Sequence, residues 1–159
     1  MAFPVHMVAS GLALILIPIA AVLRHWRGVH RTLGRSAAVC VVTGGTTALL
    51  VALASEATFA ARAGLFTQGL VWLALVAAAV VAIRTGNMLR HARLMIAMAA
   101  VASGAIWLRL VLYGAVSAEL PFDTVYAVAA WGCWIIPLGL AVIASRGLHR
   151  STERPADQV

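Results

Sequence analysis

Five runs of about twenty mostly apolar residues, separated by short polar segments, constrain this chain more than any other feature. They cover residues 5–23, 36–54, 65–83, 92–113 and 122–144. A helix needs about 20 such residues to cross the hydrocarbon core of a bilayer. Helices also satisfy their own backbone polar groups, which lipid cannot do. The chain is 63% apolar and only 11% charged, against roughly half and a quarter in soluble domains. A soluble fold of 159 residues could not bury that much apolar surface, whereas lipid solvates it. The fold class expected is therefore all-α: a polytopic membrane helical bundle of five transmembrane helices over residues 1–145, followed by a polar tail over 146–159. Pro18 and Pro137 fall inside spans, where neighbouring groups satisfy the freed carbonyls.

Charge sets the orientation. All twelve basic residues are arginine. The first connection carries Arg24, Arg27, Arg31 and Arg35, the third Arg84, Arg90 and Arg93, and the tail Arg146, Arg150 and Arg154. The second has only Arg62, beside Glu56, and the fourth has Glu119 and Asp123 with no cation. The positive-inside rule places the arginine-rich connections in the cytoplasm, the N-terminus outside and the tail inside. Short connections make consecutive helices antiparallel neighbours. The net charge of +7 is thus topological, and nucleic acid is not an expected partner. The first apolar run has no basic segment before it and no cleavage site after it, so it reads as a retained helix.

Arg109 lies inside the fourth span, among Trp107, Leu108 and Leu110. A charge there costs at least about 2.5–3.5 kcal/mol on insertion scales, so it must face protein, water or the interface. Glu56, Glu119, Asp123 and His6 are its expected partners. An outer polar site could be lined by His6, Gln68, Arg109 and Tyr113. On the cytoplasmic side His30 stands near the start of the second span and His91 at the start of the fourth, at similar depth. His25 lies in the first connection and His149 in the tail. Two neutral imidazoles at matched depth can ligate a b-type haem or a metal ion. Arg31, Arg35 and Arg93 would then pair with haem propionates. The bland alternative is that these histidines line the membrane interface beside arginine.

Cys40 and Cys133 sit in apolar stretches, read as small buried hydrophobes. Trp131 and Trp134, three apart, share one helix face, where core packing is the expected role. Gly44, Gly45, Ala100 and Gly104 allow close helix approach. No HExxH, CxxCH, GxGxxG or phosphate-loop motif occurs, and the acidic residues are too few for a carboxylate-based hydrolase.

Several short motifs, in order, carry a resemblance. They are His6 with Gly11; His30-Arg31-Thr32-Leu33-Gly34-Arg35; His91-Ala92-Arg93-Leu94-Met95; Arg109; and Trp131-Gly132-Cys133-Trp134. Together the chain resembles the bacterial membrane-protein family called domain of unknown function 2306. Leu94 stands where that family usually has Trp. The resemblance implies residence in the bacterial cytoplasmic membrane but no activity. The arrangement is also similar, as architecture only, to membrane b-type cytochromes.

Three functions follow as expectations. One is a small redox protein binding haem b or metal through His30 and His91, working with quinone or a redox partner. The second is a small-solute transporter or sensor using the outer polar residues. The third is an accessory subunit of a homo-oligomer or larger membrane complex.

Overall fold

The computed structural model describes residues 2–152, with side chains described to residue 145. Apart from the short connections those residues are helical, with no strand among them. The helices are α1 (Ala2–Val22), α2 (Arg27–Ala54), α3 (Phe59–Arg84), α4 (Met88–Ser117) and α5 (Phe122–Thr152), and a single 3-10 turn (Leu23–His25) joins α1 to α2. Five of these stretches are long and apolar enough to cross a membrane.

The helices outrun the apolar runs that announced them. α2 begins at Arg27 and not at residue 36, so most of the expected first connection is helix. α3 and α4 also start early, and α5 continues through Thr152, into the expected tail. Residues 153–159 of that tail lie outside the described residues. Hydropathy locates only the part of a helix within hydrocarbon. Arginine is a good helix former, and the headgroup layer solvates its charge. Arg27, Arg31 and Arg35 fall four apart on one exposed face of α2, the spacing that aligns side chains along a helix.

Helices α1 to α4 form an up-down ring: each packs on the next, and α1 closes onto α4. Across the diagonals, α2 does not pack on α4, nor α1 on α3, among the described residues. α5 lies outside the ring against α3 and α4. The core draws on all five helices: Ala13 and Ile17, Ala37 and Val41, Trp72 and Val76, Met98, Val101 and Ala102, and Trp134. No polar or charged residue among the described ones is fully buried, although the indole Nε1 of buried Trp72 has no hydrogen-bond partner.

Two glycines set how closely α5 approaches. A methyl at Gly64 would lie 2.9 Å from the Ala130 carbonyl oxygen, and one at Gly104 would lie 3.1 Å from the Cys133 oxygen. Pro137 has no N–H to give the Cys133 carbonyl four residues earlier, and the bare face of Gly104 packs there instead. Trp131 Nε1 donates to Ala60 O at 3.0 Å and ties α5 to the start of α3. Trp134 Nε1 donates to Ala130 O at 2.9 Å. The two indoles, 6.2 Å apart between centroids, are core and anchor.

The turns close by local hydrogen bonding. Gly86 (φ 74°) ends α3, with Asn87 N donating to Ala82 O at 2.9 Å. Glu119 (φ 54°) ends α4 in the same way, with Leu120 N donating to Ala115 O at 2.9 Å. Both are left-handed C-terminal caps, a conformation that suits glycine and strains glutamate.

Candidate functional site

Each hairpin of the ring is stitched by side chains reaching carbonyls on its partner helix. His30 is one turn inside α2, with its main-chain N donating to Trp26 O at 2.9 Å. It is therefore a helix residue, unlike the interfacial loop position expected of it. Its ring Nδ1 lies 2.8 Å from Ala20 O on α1. His91 repeats the arrangement in α4, with N donating to Asn87 O at 2.9 Å and Nδ1 lying 3.0 Å from Ala79 O on α3. A carbonyl oxygen only accepts, so Nδ1 carries a proton in both rings, and in the neutral imidazole Nε2 has the lone pair. Both rings are half-buried.

His30 and His91 therefore stand at the arginine-rich end, on α2 and α4, which are diagonal in the ring and do not pack on each other. Their tautomer is the one a metal-binding imidazole adopts when a backbone carbonyl holds its other nitrogen. No group of three or more His, Cys, Asp or Glu side chains gathers among the described residues. A closed tetrahedral metal site needs more protein ligands than this pair provides; a haem iron needs only two axial ones.

The arginines separate. Arg31 and Arg35 are exposed on the outer face of α2, turned by roughly 100° and 140° from His30 at 100° per residue. Arg93 is half-buried, and its Nε and Nη2 are shielded from solvent with no hydrogen-bond partner. It lies roughly 160° around α4 from His91, so the two do not share a face. His25 is exposed in the 3-10 turn, and the side chain of His149 lies outside the described residues.

At the opposite end the four expected site residues take different directions. His6 Nδ1 donates to Gly44 O on α2 at 3.0 Å, with Ser10 Oγ 3.3 Å from the same nitrogen. Gln68 Nε2 donates to Val101 O on α4 at 3.1 Å. Arg109 is exposed; Nη1 donates to Ala105 O at 2.6 Å, and Nη2 lies 3.5 Å from Met7 Sδ on α1. None of its expected partners appears among these contacts. Tyr113, one turn on, is 78% exposed. His6 and Gln68 thus stitch their hairpins, while Arg109 and Tyr113 share an exposed face at the rim.

Sequence reasoning missed two kinds of participant, three backbone acceptors and one arginine. The acceptors Ala20, Ala79 and Gly44 are main-chain carbonyls, which no side-chain pattern marks. Arg62, the lone arginine between the second and third spans, donates from Nε to Ala52 O at 3.2 Å and from Nη2 to Leu53 O at 2.8 Å. It caps the C-terminus of α2, which explains a cation at that end. Two surface grooves are apolar and open outward, one between α2 and α3 beside Val39 and Val80, the other between α1 and α2 beside Val8 and Cys40.

An all-helical bundle with five apolar spans, each hairpin stitched through backbone carbonyls, defines a polytopic membrane protein in contact with lipid. The profile of the family described as "Predicted membrane protein (DUF2306)" matches residues 3–144, and the chain belongs to that family. No curated protein and no solved structure matches the chain.

Proposed function

We propose that this protein is a small membrane redox protein that holds a b-type haem through His30 and His91. One observation carries the reading. Two histidines occupy equivalent positions at the arginine-rich ends of α2 and α4, and each has its Nδ1 proton committed to a carbonyl, 2.8 Å away for His30 and 3.0 Å for His91. That leaves two Nε2 lone pairs at one depth, a donor set suited to axial ligation. Haem, when bound, supplies one-electron chemistry; the chain's own contribution is to orient the rings and fix their tautomer. Of the arginines, Arg31 and Arg35 could meet propionates only at the bundle surface. The positive-inside rule puts this end at the cytoplasmic face of a bacterial inner membrane. Quinone or a protein redox partner would exchange the electron.

The test is an absorbance spectrum of detergent-purified protein from haem-supplemented cells, oxidised and then dithionite-reduced. A Soret band with sharpened α and β bands on reduction, lost in His30→Ala and in His91→Ala, is the expected result. A featureless spectrum would overturn the reading.

A further inference from the structure

The groove between α2 and α3 is apolar and open to the side, with Ala38, Val39 and Val42 on one wall and Leu73, Ala77 and Val80 on the other. Both walls continue into arginine at the same end. Arg35, Ala38, Val39 and Val42 follow the i, i+3, i+4, i+7 spacing of one helix face. Leu73, Ala77, Val80 and Arg84 keep to one face of α3 in the same way. Arg35 and Arg84 are both exposed, so their side chains are open to a ligand.

Packing between the two helices sets the arginines level. A methyl on Gly45 would lie 2.8 Å from Leu73 Cδ2, and one on Gly69 would lie 2.9 Å from Leu49 Cδ2. The helices run antiparallel, so ten residues back from Gly45 is level with ten residues on from Leu73. Arg35 therefore stands opposite Ile83 and Arg84, at the mouth of the groove. Depth follows from length. Residues 36–54 of α2 rise about 28 Å, close to the roughly 30 Å of hydrocarbon. Arg35 thus lies at the edge of that layer, where headgroups begin.

Two like charges held level repel, and an anion between them removes the repulsion. No described carboxylate can serve, because Glu56, Glu119 and Asp123 lie at the other end of the bundle. The occupant must carry negative charge at its head and hydrocarbon along its length. A quinone has the tail without the charge. A second copy of this chain, in the same orientation, would bring its own arginines to that depth. Guanidinium groups bind phosphate oxygens in pairs, and basic pockets between transmembrane helices take anionic headgroups.

We propose that the α2–α3 groove binds an anionic phospholipid from the leaflet at the arginine-rich end, with its phosphate between Arg35 and Arg84 and an acyl chain lying along Val39, Val42 and Ala77. The site does not rest on the haem reading, because His30 turns from α2 toward Ala20 on α1.

The test places the full chain in phosphatidylcholine nanodiscs with and without phosphatidylglycerol, reading thermal unfolding and lipid retained after extraction by native mass spectrometry. Wild type should retain a phosphatidylglycerol molecule and unfold several degrees higher when that lipid is present. Arg35→Ala and Arg84→Ala should each weaken both effects, and the double variant should lose them, while the remaining arginines keep the orientation. Arg90→Ala, exposed at the same end on α4, should behave as wild type. Ala77→Phe fills the groove at an exposed position and leaves both charges, so it should also lose retention. Should the double variant fail to fold, the single variants and Ala77→Phe against wild type still decide. Equal shifts in wild type and the double variant would overturn the proposal, as diffuse surface attraction. Retention by Ala77→Phe equal to wild type would overturn the groove as the site. A dimer, or bound quinone, in place of retained phosphatidylglycerol would overturn the choice of occupant.

Discussion

His30 and His91 occupy the same place in successive hairpins. Each is the fourth residue of its helix, each main-chain N–H donates to the residue just before that helix, and each ring Nδ1 reaches a buried alanine carbonyl on the preceding helix. At the other end His6 and Gln68, on α1 and α3, reach back to α2 and α4. The ring is thus two hairpins built to one plan.

Those stitches carry modest stability. His30→Phe and His91→Phe should each cost about 0.5–1.5 kcal/mol, the usual net value of a hydrogen bond, with membrane-embedded cases at the lower end. Reversible unfolding in mixed micelles, run without haem, measures it. No loss in either variant would mean the Nδ1 contacts are incidental.

Gly86 and Glu119 do the same job at the ends of α3 and α4, one with the suitable residue and one without. Glu119→Gly should raise stability by about 1 kcal/mol, since the exposed carboxylate gives up nothing and the left-handed strain is relieved. Gly86→Ala should lower it by a similar amount. Thermal midpoints of the two variants should move in opposite directions.

Gly64 and Gly139 make a matched pair. A methyl at Gly64 would meet backbone 2.9 Å away, whereas one at Gly139 meets nothing within 4 Å. Gly64→Ala should therefore destabilise by about 1–3 kcal/mol through overpacking. Gly139→Ala should be neutral or stabilising by up to about 1 kcal/mol. Comparable losses from both would show that α5 does not pack on α3 as described.

Arg62 satisfies two carbonyls at the end of α2. Arg62→Ala should cost about 1 kcal/mol, and Arg62→Lys should recover part of it, since lysine restores the charge near the helix C-terminus but not the fork. Urea unfolding in micelles of the three proteins ranks them.

Topology is open to a direct assay. A reporter fused after Val159 should be active in the cytoplasm, and a label placed in the turn at Glu119 should react from outside. External activity of the C-terminal fusion would reverse the orientation.

The sequence by itself determined residence in the membrane, the number of spans and their alternation. These depend only on which stretches lipid can solvate and where the charges between them fall, and both are additive properties of residues. Helix ends were less legible: 27–35 reads as loop by hydropathy yet is helix, because the headgroup layer holds charged helical turns that an apolar window cannot register. Only the tertiary structure decided which polar groups work together. His30 meets Ala20, Arg93 is half-buried while Arg90 is exposed, and Gln68 and His6 turn to different neighbours. Those outcomes depend on the rotation of each helix about its axis and on the register between helices. A span that is apolar on every side carries no hydrophobic stripe to reveal its inward face, and the backbone carbonyls that complete the stitches have no residue type to betray them.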